Sequence, residues 1–163
     1  MRVSINIIIA LLFISAFSGC KKEPEPLFGL NEVELYPSVA DKDKLKTNEQ
    51  FVAILHANLF QTALSPNDIF DISECIESIG DKELAREVII SNFMNKDGVV
   101  MPSVEEMDMD IDLFITESYI RFYVRYPTEA EKTYVRNFIQ SNPYMTPELV
   151  YFSFALSDEY MFY

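Results

Sequence analysis

From residue 47 onward, apolar residues return every three or four positions between short polar punctuation, the period of amphipathic helices. Thr47-Asn48-Glu49-Gln50 has the form of a capping box, and Phe51, Ile54, Leu55, Leu59 and Leu64 follow at helical spacing. Ser65-Pro66-Asn67-Asp68 combines a cap, a proline in the first turn and an acid at the dipole's positive end, so a second helix starts there. Its stripe is Ile69, Ile72, Cys75, Ile76 and Ile79, and Gly80 is expected to stop it in a left-handed turn. Asp81 caps a third helix with Leu84, Val88, Ile89 and Phe93 expected inward, and Asn95 to Gly98 ends it. Val99 to Pro102 reads as a short extended piece before Ser103-Val104-Glu105-Glu106, another capping box.

The second half continues in the same way. Asp110 to Arg125 forms a helix with Phe114, Ile115, Ile120, Phe122 and Val124 on a broad apolar face, and Pro127 ends it. Thr128 to Glu131 caps the next helix, which carries Tyr134, Val135 and Phe138 and closes at Asn142-Pro143. Thr146-Pro147-Glu148 opens the last, through Val150, Phe152, Phe154 and Leu156. Short, proline-marked joints and almost no alternating segments predict an all-α fold, a small orthogonal bundle of about five to six short helices over 47–163. No repeat recurs at solenoid periods.

The first 46 residues have a different character. Arg2 precedes an apolar run from Ile5 to Phe17, broken only by Asn6 and Ser15, and Ser18-Gly19-Cys20 follows. The run is too short for a spanning helix, which needs about 20 apolar residues, and reads as a signal peptide over 1–19. The stretch resembles a bacterial lipoprotein signal, whose lipobox sets small residues before a cysteine. Phe17 stands where such signals more often carry Leu. The resemblance implies that Cys20 is acylated and becomes the first residue of the mature chain, held by acyl chains worth about 0.8 kcal/mol per CH₂. Lys22-Glu23, with Glu25 close by, resembles in part the Lys-acidic-acidic export tag of surface lipoproteins in Bacteroidota, although Pro24 interrupts it. An outer-membrane lipoprotein of the cell envelope is implied, with periplasmic and surface faces both open. Residues 20–46 read as lipid anchor and flexible, Pro-stiffened spacer, a disordered tether.

Charge sharpens the setting. The 163 residues carry 13 Lys+Arg against 26 Asp+Glu, a net charge of −13, with 49% hydrophobic and 13% aromatic residues. Losing residues 1–19 would remove Arg2 and no acid, which moves the charge to −14. This much apolar content excludes a disordered acidic tail. The acidity argues against nucleic acid and against charge-driven docking on anionic lipid, since both are polyanions.

The chemistry-bearing residues point to no catalyst, cofactor or metal. Asp108, Asp110 and Asp112 are spaced as in a calcium loop, but Leu113 stands where an EF-hand needs Gly and Tyr119 where it needs a bidentate Glu. They read as a solvated acidic helix start. The lone His56 lacks the further ligands of a zinc or iron site. Cys75, on an apolar stripe, reads as a buried thiol, and nothing in its spacing from His56 suggests a catalytic pair. No G-x-S-x-G elbow occurs, and the 4 glycines build no phosphate loop. Aromatics crowd the C-terminal half. Most Phe is expected in the core, with Tyr123, Tyr126 and Tyr144 as candidate partner contacts.

Arg125-Tyr126-Pro127-Thr128-Glu129-Ala130-Glu131, followed by Ala155-Leu156-Ser157-Asp158-Glu159-Tyr160, resembles the C-terminal helical module of planctomycete cytochrome-associated proteins. That module carries an Arg-x-Pro-Thr-x-x-Glu turn and a closing Ala-Leu segment. The resemblance covers about a quarter of the chain and implies a helical fold in a cell-envelope setting. The haem-attaching Cys-x-x-Cys-His that often accompanies the module is absent from this sequence, so no redox role carries over. Arg125 is expected to meet Glu131 or Glu159 in a buried ion pair that locks the last helices together. Two functional readings follow: a non-catalytic accessory or assembly subunit binding an envelope protein partner, or a small ligand- or glycan-binding lipoprotein.

Overall fold

The structure, a computed structural model, describes residues 42–162. The signal segment 1–19, Cys20 and the spacer through residue 41 lie outside the described residues.

The fold is all-α. Its helices are α1 (Asn48–Phe60), α2 (Pro66–Ser78), α3 (Lys82–Met94), α4 (Val104–Met109), α5 (Ile111–Tyr123), α6 (Glu129–Ser141) and α7 (Pro147–Leu156), closed by a 3₁₀ turn (Asp158–Met161). The seven α-helices among the described residues exceed the five to six expected, because Asp110 at φ −147° splits α4 from α5. All seven begin with a side chain accepting a hydrogen bond from the backbone N–H three residues on: Thr47, Ser65, Asp81, Ser103, Asp110, Thr128 and Thr146. Such a cap contributes about 1 kcal/mol and satisfies one orphan donor, which lets short helices start abruptly.

The amino-terminal half stacks α1, α2 and α3 against one another, and α3 also packs on α7. The carboxy-terminal half centres on α5, which meets α4, α6, α7 and the 3₁₀ turn. One core joins the halves, with Phe51, Leu55, Leu59, Ile115, Phe122 and Tyr160 fully or almost fully buried. Residues 42–46, which the sequence pattern leaves in the spacer, belong to this unit. Lys46 N–H donates to the Met161 carbonyl at 2.8 Å, and Leu45 makes an antiparallel bridge with Phe162.

Several inward assignments change. Leu84 and Val88 are exposed, and the smaller Ala85 takes the inner position together with Ile90 and Phe93, because α3 approaches α1, α2 and α7 closely along that side. On α2, Ser73 and Ile76 are buried, and Cys75, one residue off the contact line, is exposed rather than buried. Phe138 and Val124 also face outward. Gly80 is not the left-handed stop: α2 ends through extended Ile79, at φ −92° and ψ 128°. The left-handed helix ends fall at Gln61 (φ 54°) and Val124 (φ 55°). For the β-branched Val124 this backbone costs about 1–2 kcal/mol.

Leu55→Ala should destabilise by about 2–5 kcal/mol, whereas Leu84→Ala should stay within about 0.5 kcal/mol, as read by chemical denaturation. Equal losses at the two positions would contradict the outward placement of Leu84.

Candidate functional site

Two arrangements concentrate polar chemistry. The first is a clamp around Arg125, the residue after left-handed Val124. The α5 backbone stops there, and the next side chain turns inward, leaving Arg125 only 7% exposed. Its guanidinium grips Glu159 through two parallel bonds, Nε to Oε1 and Nη2 to Oε2, each 2.7 Å. It grips Glu131 through Nη2 to Oε1 at 2.6 Å and Nη1 to Oε2 at 3.0 Å. Nη1 also donates to the Tyr126 carbonyl at 3.1 Å. The same Glu131 closes the α6 capping box, accepting the Thr128 N–H at 2.7 Å and its hydroxyl at 2.8 Å.

Aromatic rings surround the charges. The Arg125 guanidinium lies 5.0 Å from the Tyr119 ring centre and 5.8 Å from that of Tyr123. Lys42 Nζ stands 3.5 Å from Glu159 and 5.2 Å from the Tyr123 ring. The hydrogen bonds that Arg125 donates to Glu159 and then to Glu131 hold it firmly protonated. Those from Arg125, aided by the Thr128 cap, draw the Glu131 carboxyl down to about 2 against the opposing effect of burial. Burial pushes the Tyr123 phenol up to about 12, and its hydroxyl donates to Ser157 Oγ at 2.8 Å. The clamp's groups satisfy one another, so it offers a structural tie and no vacant reactive atom.

The second arrangement is a cleft of about 410 Å³ between the Val100–Pro102 segment, α4 and α5. Met107, Phe114 and Tyr151 are buried along it, and Met109 is 84% exposed and Leu113 53% exposed at its mouth. Glu106, Asp110 and Glu117 supply its acids. Arg121 is the one basic lining residue, and it is engaged: Nη1 donates to the Val100 carbonyl at 2.7 Å and the guanidinium lies 5.2 Å from the Tyr151 ring centre. The methionines and the acids flanking α4 were the sequence signal for this cleft, which helical periodicity alone did not pick out.

The residues singled out from sequence fall in different places. Arg125, Glu131 and Glu159 meet in the clamp. Tyr123 is buried at 6% exposure and cannot serve as a partner contact, because its ring stacks on Phe154 at 4.9 Å. Tyr126 is 40% exposed, and Tyr144, on the turn between α6 and α7, is 89% exposed. Asp110 caps α5, and Asp112 pairs with Arg136 at 2.5 Å. His56 Nδ1 donates to the Thr62 carbonyl at 3.0 Å, and its ring stacks on Phe60. Comparison with family models, curated proteins and solved structures returned no match.

Arg125→Ala leaves the Glu131 and Glu159 carboxylates, 33% and 32% exposed, without their shared partner and should cost more than about 1 kcal/mol in denaturant unfolding. Arg125→Lys keeps the charge but loses the paired bonds, so it should fall between wild type and Ala. The Glu131 contribution has a defined direction. Its folded value is depressed from 4.5, so this stability is present above about pH 4.5 and disappears as pH falls toward about 2. Glu131→Gln should flatten that acid limb, and an unchanged limb would show that the clamp does not supply it.

Proposed function

We propose that this chain is a membrane-anchored lipoprotein of the cell envelope, held at the outer membrane through Cys20, and that its helical domain is a non-catalytic accessory or assembly subunit that binds a protein partner. The observation that carries the partner reading is the apolar surface along the cleft mouth, where Val100, Met109 and Leu113 stand exposed beside one another's elements. Exposed apolar side chains grouped at a cleft mark contact surfaces more often than singly scattered ones do. Methionine adapts its shape to a partner at little cost, which suits an assembly contact.

The anchor rests on Ser18-Gly19-Cys20 and the apolar run before it. Among the described residues no helix is long and apolar enough to cross a membrane. The non-catalytic part is supported by where the perturbed groups sit. Arg125 and Glu131 bond each other in the clamp and Tyr123 bonds Ser157 beside it, and the shifted group that lines the cleft, Tyr151, is raised by burial. A glycan platform needs an open ring face; the cleft ring, Tyr151, is buried, and the exposed rings Tyr126 and Tyr144 lie outside the cleft lining.

A photo-crosslinking residue at position 113, activated in intact cells and followed by mass spectrometry, should trap one envelope protein. Met109→Asp should abolish that product while shifting stability by no more than about 0.5 kcal/mol. A crosslink pattern indifferent to Met109→Asp would refute the contact. Separately, Cys20→Ala should release the protein from membranes and remove palmitate labelling, and a wild-type chain that takes up no palmitate would refute the anchor.

A further inference from the structure

The chemistry of the cleft narrows the partner further, on the premise that this face is where a partner docks. Beside the Arg121 guanidinium and the Tyr151 phenol, its polar side chains are three carboxylates, Glu106, Asp110 and Glu117. Two are fixed in place by helix starts: Glu106 Oε2 accepts the Ser103 N–H at 2.7 Å, and Asp110 Oδ1 accepts the Leu113 N–H at 2.9 Å. Both bonds are to backbone N–H groups and not to a base, so both carboxylates are oriented without a counter-ion. Glu117, one turn along α5 from Leu113, makes no ion pair among the described residues. Arg121 bonds the Val100 carbonyl and none of the three carboxylates; it stands one turn along α5 from Glu117, so the lining carries three acids to one base.

From this we infer that the cleft between Val100–Pro102, α4 and α5 receives a cationic amphipathic segment of the partner protein, its apolar side chains seated on Val100, Met109 and Leu113 and its Lys or Arg side chains on Glu106, Asp110 and Glu117. The cleft volume of about 410 Å³ accepts a few apolar side chains at helical spacing. The acidic rim selects the sign of the flanking charge, because like charges opposed across a contact cost several kcal/mol and unlike charges speed encounter. The chain's own apolar stretch from Leu27 to Tyr36 is a poor occupant: it carries Glu32 and Glu34 and no base. An anionic lipid surface is repelled by the same rim.

The test uses the full lipidated chain in phosphatidylcholine nanodiscs, with empty nanodiscs as the blank. Fluorescence anisotropy follows a labelled amphipathic Leu/Lys peptide of about 15 residues, a Ser/Lys peptide of equal charge and a Leu/Glu peptide. Saturable binding of Leu/Lys is expected, roughly tenfold or more weaker binding of Ser/Lys, and none of Leu/Glu. Glu117→Lys should weaken Leu/Lys binding roughly tenfold, as should Leu113→Ser, while Glu74→Lys, a charge reversal on exposed α2, should leave it unchanged. Equal weakening by Glu117→Lys and Glu74→Lys would mean that the peptide reads net charge only and would overturn the inference, as would no saturable binding. Peptide binding without a crosslink in cells would leave the cleft chemistry standing and remove the partner reading. A cellular crosslink to a neutral or acidic segment would do the reverse.

Discussion

The carboxy-terminal half depends on one side chain turning inward at a place where the backbone is under strain. Val124 holds a left-handed conformation that a β-branched residue adopts only at a cost. That turn aims Arg125 at Glu131 on α6 and Glu159 on the closing 3₁₀ turn at once. Three segments that share no backbone ladder are thereby held to one register. A buried ion network adds little net stability compared with apolar packing of the same volume, because desolvation offsets the attraction. What it adds is geometry: two bidentate pairs fix directions as well as distances. The rings of Tyr119 and Tyr123 exclude water from one side and make any misalignment expensive.

The clamp also reaches back to the start of the folded unit. Lys42 meets Glu159, Lys46 donates to the Tyr160 carbonyl, and Lys46 Nζ lies 4.0 Å from the Tyr160 ring centre. The Tyr160 hydroxyl in turn accepts from Asn58 on α1 at 3.0 Å. Residues 42–46 are thus tied to residues near 160, which joins the segment before α1 to the closing 3₁₀ turn. Burial lowers the Lys46 amine to about 8, so the tie is made at an electrostatic cost that ring contact and the carbonyl bond offset in part.

Helix starts were legible because capping is local chemistry, written in one side chain and its third neighbour. Helix ends were less so. Gln61 and Val124 take left-handed conformations without glycine, while Gly80 does not use its freedom. Facing was legible only where the stripe is narrow. On α3 the expected stripe of Leu84, Val88, Ile89 and Phe93 is rotated, and the close approach of α1, α2 and α7 puts Ala85, Ile90 and Phe93 inward. Cys75 and Tyr123 went opposite ways for the same reason: position relative to a neighbouring helix is tertiary information. Arg125 and Glu159 stand 34 residues apart, beyond the reach of periodicity, and a resemblance in motif was what put them side by side. The cleft was hidden because it is formed by an irregular segment against two helices.

How the charges are spent explains why an acidic domain presents so uniform an exterior. Lys42, Lys82, Arg125, Lys132 and Arg136 are paired with carboxylates, and Lys46 and Arg121 with backbone carbonyls. Bases are outnumbered two to one and then largely consumed within the fold. The surplus carboxylates face outward, and their mutual repulsion is tolerable only where water and salt screen them. A partner that covers some of them removes that screening, so it must bring positive charge or bury apolar surface in compensation. The mouth of the α4–α5 cleft is where both forms of compensation are available together. Met109 and Leu113 stand exposed in a cleft that Glu106, Asp110 and Glu117 also line, so apolar surface and carboxylates meet there on one face.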